Sequence, residues 1–290
     1  MTAYALPIER ATPRPTRWKA PSILPGFPLA FGIALAFVGA IVVLPLTALA
    51  LKPWSAGVAG VWQTLTDPRV LAALKLSFGL SALAAAINAP LGLMIAWTLV
   101  RFEFPGRRLI DALVDLPFAL PTAVAGIALT TLYAPTGALG ALAARVGIKT
   151  AYTPLGIFIA LVFIGLPFVV RQVEPLLFEF DREVEEAAQT LGASPAQRFW
   201  RVRLPALGPA LLGGAGLAFA RAVGEYGSVI FIAGNMPMKT EIAPLLIVIK
   251  LEQYDYAGAA VVGLAMVAIS FATLLAINGL QVALGARSRS

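Results

Sequence analysis

From Phe27 to Leu51 the chain runs without one charged side chain, and five further stretches are nearly as bare. They lie near Leu71–Val100, Leu109–Tyr133, Ala151–Val170, Pro209–Ala233 and Ala257–Leu284. A hydrocarbon core of about 30 Å needs about 20 helical residues to cross it. Inside it every backbone N–H and C=O must be paired within the protein, which leaves helices or closed barrels. These runs are continuously apolar, without the period-2 alternation of barrel strands, so the sequence predicts an all-α polytopic membrane protein with six transmembrane helices. The first run exceeds the roughly 7–15 apolar residues of a cleaved signal and is expected to remain in the protein. The fourth is the shortest, with Pro167 near its end.

Basic residues orient the spans. Arg10, Arg14, Arg17, Lys19, Arg101, Arg107, Arg108, Arg171, Arg182, Arg198, Arg201, Arg203, Arg287 and Arg289 fall on one side. Lys52, Arg69, Lys75, Arg145, Lys149, Lys239 and Lys250 fall on the other, and Arg221 lies within a span. The richer side is expected to be cytoplasmic, with both termini and the 171–208 loop. The net charge of +7 is therefore read as an orientation signal, not a nucleic-acid footprint. With neither Cys nor His, disulfides, thiol chemistry and the usual zinc ligands are excluded. The expected organisation is a Pro/Arg-rich cytoplasmic tail over 1–26, a transmembrane domain over 27–284 and a short cytoplasmic tail over 285–290. The first tail suits the anionic leaflet surface.

Residues 186–205, EAAQTLGASPAQRFWRVRLP, do not belong in a bilayer. Asp181 is placed to cap a helix carrying Glu183, Glu185 and Glu186 in its first turns, where the dipole favours acids. Val184, Ala187, Ala188 and Leu191 form one apolar stripe of low relief. Gly192 suits the left-handed position that ends a helix. Ser194 and Gln197 form a capping-box pair around Pro195, and Pro205 is expected to close the second helix. On helix physics alone, the island also suits an amphipathic loop on lipid headgroups, anchored by Phe199 and Trp200.

The spacing E-A-A-x3-G-x9-(I/V)-x-L-P resembles the signature of permease subunits of ATP-binding-cassette importers. Glu186, Ala187, Ala188, Gly192, Val202, Leu204 and Pro205 match it in register. The resemblance implies a type I importer permease (MetI-like) fold in a bacterial inner membrane, with this loop docking on a separate ATP-hydrolysing subunit. No G-x-x-x-x-G-K-[ST] phosphate loop occurs in the chain, so ATP is expected to be bound by that partner and no cofactor by this chain. RFEFPGRRLIDALVDLPFALPTAVAGIAL (101–129), ARAVGEYGSVIFIAGN (220–235) and KTEIAPLLIVIKLEQYDYAGAA (239–260) are similar to the T-type subunit of sulfate/thiosulfate permeases. The element Gly224 to Gly227 also resembles molybdate permeases. The implied assembly holds an ATP-binding subunit dimer, a second permease (a sister subunit or a second copy), an external sulfate-binding protein and the lipid bilayer. A permease for molybdate or tungstate is the alternative. A stand-alone secondary transporter and a non-transporting scaffold are readings that do not require the island.

Arg221 and Glu225 sit at i, i+4, expected near the middle of the fifth span. A lone Arg there costs about 2.5–3.5 kcal/mol on insertion scales, and Glu225 offsets much of that. Two readings stay open: a self-neutralising packing pair, or a path lining in which Arg221 lowers the barrier for an anion. Gly224 and Gly227 are expected to permit close helix approach. Asp111 reads as a solvated helix-start charge, Asp115 as an internal hydrogen-bonding group, and Asn88 with Pro90 as a kink satisfied by a neighbour. No convergent oxygen cluster suggests a metal at Asp111, Asp115 or Glu225. The 234–256 loop, with Lys239, Lys250, Tyr254 and Tyr256, is expected outside, facing the binding protein or the lipid interface.

Overall fold

The computed structural model describes residues 27–180 and 182–287, with side-chain surroundings given to Val282 except at Arg182. The 1–26 tail, the cap expected of Asp181 and the last residues of the C-terminal tail lie outside the described residues. The described residues are helices joined by turns, with no strand among them. The chain divides into two compact units at Ala48/Leu49.

The first unit holds α1 (Phe27–Val38), a π-helical turn (Gly39–Val43) and the start of α2 (Leu44–Leu51). α1 has no buried residue, and an apolar surface of that extent suits lipid. The π turn stands directly before Leu44–Pro45, and Leu44 N–H bonds the carbonyl of Gly39. A proline inside a helix lacks the donor and clashes with the carbonyl four residues back; a widened turn relieves the clash.

The second unit continues with a 3₁₀ turn (Lys52–Ala56) and α3 (Gly57–Thr66). α4 (Pro68–Arg101) starts on Asp67, whose carboxylate accepts from the Arg69 N–H at 2.7 Å. The run expected over Leu109–Tyr133 is not one helix: it is α5 (Arg107–Val114), α6 (Leu116–Ala119) and α7 (Thr122–Tyr133). Pro117 and Pro121 each remove a backbone donor there, one turn apart, and Leu120 is extended because it precedes proline. α8 (Ala138–Arg145) follows α7 at a bend of 42°.

α9 (Pro154–Glu179) is longer than expected and carries Pro167 and Pro175 in its interior. Buried residues run along it from Gly156 to Leu177, so tertiary packing holds it helical across both prolines. α10 (Arg182–Thr190) and α11 (Pro195–Arg198) precede a second π turn (Phe199–Arg203) and α12 (Leu204–Val223). Pro205 therefore does not close a helix. The π turn before it accommodates the ring as at Pro45, and helical backbone runs from Pro195 to Val223. The expected 171–208 loop thus contracts to residues near 180–194. α13 (Val229–Ile232), α14 (Ala243–Glu252) and α15 (Tyr256–Arg287) complete the chain, so much of the expected 234–256 loop is a helix with Ala243, Leu245 and Leu246 buried. Among the described residues, five helical stretches are long and apolar enough to span a membrane, or six if the bent α7–α8 pair is one span.

α4, α9 and α12 pack on one another as the core. Leu93, Ala96 and Leu99 of α4, Val169, Val170 and Val173 of α9, and Leu207, Ala218 and Phe219 of α12 share one cluster. Glycines set the spacing: a Cβ on Gly92 would lie 2.6 Å from Val169 Cγ1, and one on Gly214 2.8 Å from Val169 Cα. Small residues at such seams let helix backbones approach where no hydrophobic force between spans is available. Asn88, fully buried on α4, donates to the carbonyl of Val162 at 3.1 Å, beneath Gly165. The expected neighbour of the Asn88–Pro90 pair is therefore α9.

Candidate functional site

Two polar features stand out of this core: the α10–α11 turn and the end of α12. In the first, Gly192 has φ +82°, and its N–H bonds the Gln189 carbonyl while Ala193 N–H reaches back to Ala188. This paired closure is available at low cost only to a residue tolerant of positive φ. Ser194 Oγ accepts from Gln197 N–H at 3.3 Å, and Gln197 Oε1 accepts from Ser194 N–H at 2.8 Å, completing the expected capping box.

α10 shows its apolar stripe to the outside. Val184 is 52% exposed and Leu191 88%, Ala187 is exposed, and Ala188 is half-buried. Glu186 is exposed on the same helix, whereas Glu185 turns inward. Val202 and Leu204 are half-buried and Pro205 exposed, so the seven matched residues do not form one patch. Glu186, Ala187 and Gly192 are exposed, whereas Leu204 packs on the core. Phe199 also packs on the core, edge-on to the exposed Trp200 at 5.4 Å.

The second feature lies at a helix end, not at mid-helix. α12 stops at Val223, Gly224 is its C-cap, and Glu225 folds back with its N–H on Ala222. Arg221 Nη1 donates to Glu225 Oε2 at 2.5 Å, and Glu225 Oε1 accepts from Ser228 N–H and Oγ–H, both at 2.9 Å. The Glu225 side chain is 2% exposed and that of Arg221 35%. A buried carboxylate is tolerable when its lone pairs are met by a cation and further donors. Gly227 allows the close approach expected of it: a Cβ there would strike Thr122 at the start of α7. Gly224 does not, since a Cβ would meet nothing within 4 Å. Gly126 completes the seam, with Ser228 backbone 2.5 Å from a built Cβ.

Other charged groups form ties that sequence spacing does not reveal. Arg171 Nε and Nη2 grip Asp115 at 2.8 and 2.6 Å, while Nη1 meets Asp111 at 2.7 Å and Glu174 at 2.5 Å. Asp111 is therefore an ion-pair partner and not a merely solvated charge; Asp115 is hydrogen-bonded as expected, but with its side chain 48% exposed it is not internal. Arg69 holds Glu241, whose side chain is 1% exposed, with two bonds of 2.7 and 2.8 Å. Lys250 pairs with Asp255 at 2.9 Å, and that bond together with the Gly258 N–H holds the Asp255 carboxyl below the usual carboxylate range. Tyr254 and Tyr256 are exposed, edge to face at 6.3 Å.

Comparison with known proteins sets these features in context. Residues 88–290 match the family described as "Binding-protein-dependent transport system inner membrane component". The sulfate transport system permease protein CysT of Synechococcus elongatus is 50% identical over 241 residues, 83% of this chain and 87% of that protein. The CysT proteins of Salmonella typhimurium and Escherichia coli are each 47% identical over 265 residues, 91% of this chain and 96% of theirs. A bacterial ABC transporter that imports the acidic polysaccharide alginate has the same fold, with a TM-score of 0.71 over 88% of this chain and 94% of that one at 15% identity. The MetNI methionine ABC transporter aligns with a TM-score of 0.53 over 74% of this chain and 94% of that one at 20% identity.

Proposed function

The chain belongs to the binding-protein-dependent transport system inner membrane components, and from that premise we propose that it is the permease subunit of an ATP-driven sulfate importer. Thiosulfate, which shares the tetrahedral dianion shape, is the natural second cargo. The observation that carries the cargo is the 47–50% identity, over most of the chain, to permeases named for sulfate transport. A tetrahedral oxyanion of the molybdate or tungstate kind is the runner-up, supported by the Gly224–Gly227 element alone.

The α10–α11 turn is the coupling element. Glu186, Ala187, Ala188 and Gly192 form its docking face and end, and Val202, Leu204 and Pro205 fix the helix that carries it into the core. An exposed apolar stripe beside a rigid double cap suits insertion into a groove on another protein. That partner is an ATP-binding subunit dimer, which supplies the hydrolysis for which this chain lacks a phosphate loop. ATP-driven closure of the partner dimer draws the coupling turns together, and the continuous helix from Pro195 to Val223 carries the movement into the spans. A sister permease or second copy completes the path, and an external sulfate-binding protein delivers the anion. The turn lies on the cytoplasmic side with both termini.

Arg221, Glu225, Gly224 and Gly227 are the path candidates. Glu225 neutralises Arg221 at one nitrogen, so the pair is no tight anion site, which suits a conduit that must release its cargo. The exposed part of the guanidinium offers N–H groups to a passing oxyanion. The assembled complex in proteoliposomes is the test: radiolabelled sulfate uptake should require ATP and the binding protein, and excess unlabelled thiosulfate should suppress it more than molybdate. Sulfate flux through this chain alone, without ATP, would falsify the reading.

A further inference from the structure

The way α10 is fastened to the rest of the protein is unusual for a helix expected to transmit force. No residue of α10 joins a hydrophobic core cluster among the described residues. Its apolar stripe faces outward, Phe180 leaves α9 in extended backbone, and Gly192 ends α10. What fastens it is polar and lies on the opposite face. Glu185 Oε2 accepts from Arg203 Nε at 2.9 Å, its Oε1 meets Arg203 Nη2, and the side chains are 14% and 20% exposed. One turn on, Gln189 accepts from Arg198 at 2.7 Å.

Arg203 does not stop at Glu185. Its guanidinium lies over the Trp97 ring, 4.5 Å from the centroid, and Trp97 is half-buried near the end of α4, packed on the core. Arg203 is also the last residue of the π turn, immediately before α12. A bidentate fork and a stacked guanidinium are both stiff in orientation, because one flat group satisfies them together.

We propose that Glu185 is a positioning residue for coupling: through its fork on Arg203, itself stacked on Trp97, it carries displacement of α10 into α12 and α4. This rests on the permease reading above and adds a residue outside the seven-position spacing. Glu186, exposed beside it, faces the partner; Glu185 faces the permease. Neighbouring glutamates thereby divide the work of docking and transmission.

The test uses the complete complex in proteoliposomes and reads three quantities: co-purified ATPase subunit, ATP hydrolysis, and labelled sulfate imported per ATP. Glu185→Gln and Trp97→Leu should each retain the ATPase subunit and its hydrolysis while lowering sulfate per ATP by about tenfold, within the usual span of coupling effects. The double variant should fall no further than the worse single one, because both cut the same relay. Trp97→Phe, which keeps a ring for the guanidinium, should recover most of the ratio. Where a variant accumulates poorly, Arg203→Lys serves, since it keeps the charge but removes the fork. An unchanged ratio in Glu185→Gln, release of the ATPase subunit by it, or a multiplied loss in the double variant overturns the relay. A wild-type complex without an ATPase subunit, or with ATP-independent uptake, counts against the permease reading instead.

Discussion

Arg171 on α9 holds Asp115, the residue that caps α5, with two parallel bonds of 2.8 and 2.6 Å. The same guanidinium also meets Asp111 and Glu174, so three carboxylates share one cation. The pair ties the broken third segment to the α9 core at the place where Pro117 and Pro121 deprive it of helical continuity. Removing Arg171 would leave three acids facing one another, whereas removing Asp111 leaves the fork intact. Arg171→Ala should therefore lower thermal stability in detergent by about 1–3 kcal/mol, since the cluster is only partly buried. Asp111→Asn should cost less than about 1 kcal/mol. Equal losses in the two variants would show that the fork is not the main tie.

Gly192 and Gly224 offer a controlled contrast. A Cβ meets nothing within 4 Å at either position, but φ is +82° at Gly192 and −88° at Gly224. Gly192→Ala should cost about 1–2 kcal/mol, the left-handed penalty for an L-residue, and should loosen the turn enough to reduce ATP-driven uptake. Gly224→Ala should leave thermal stability within about 0.5 kcal/mol of wild type, because it meets neither steric nor dihedral strain. Melting temperatures of the two variants in detergent decide this.

At Gly227 the constraint is contact. A Cβ would run into Thr122, so Gly227→Ala should destabilise by about 1–3 kcal/mol through overpacking. Thr122→Ala removes the colliding hydroxyl and should restore part of the loss, whereas it should do little alone. A melting-temperature cycle of the four proteins measures the coupling directly.

Arg221 carries two consequences that a conservative variant separates. Arg221→Ala strands the buried Glu225 and should reduce both stability and uptake, the latter by about tenfold or more. Arg221→Lys keeps the charge and should recover stability more fully than uptake if the flat fork meets the oxyanion. Wild-type sulfate uptake by Arg221→Ala removes Arg221 from the mechanism.

Acid should weaken the turn before α15. Lys250 and the Gly258 N–H depress the Asp255 pKa in the folded protein. A depressed carboxylate contributes stability that is present above its unfolded value of about 3.9 and is lost as pH falls through the lower folded value. Melting temperature should therefore drop on acidification below about pH 4, and Asp255→Asn should show a shallower drop. Parallel profiles for the two proteins would mean that the pair contributes nothing measurable.

Proline illustrates how far local chemistry carries. Pro117 and Pro121 interrupt a run that hydropathy alone reads as a single span, while Pro167 and Pro175 lie inside an unbroken α9. The same residue type gives opposite outcomes because α9 packs extensively against both α4 and α12, whereas α6 and α7 touch it only slightly. Pro205 shows a third outcome, absorbed by the π turn before it.

What the sequence determined by itself is whatever depends on composition or on neighbours within a turn or two. Long uncharged runs require helices, because lipid offers no partner to a bare backbone. Gly192 and the Ser194–Gln197 box read directly as caps, because their bonds close within six residues. The Arg221–Glu225 pair was legible at i, i+4, although the helix was expected to continue past it. Only the tertiary structure decided which distant charges meet: Arg69 with Glu241 across 172 residues, Arg171 with Asp115 across 56, Arg203 with Glu185 across 18. Such pairs leave no periodic trace, since their geometry comes from how α4, α9 and α12 pack, and packing is set by many weak contacts at once. The inward turn of Glu185 and the outward turn of Glu186 belong to that same class of fact.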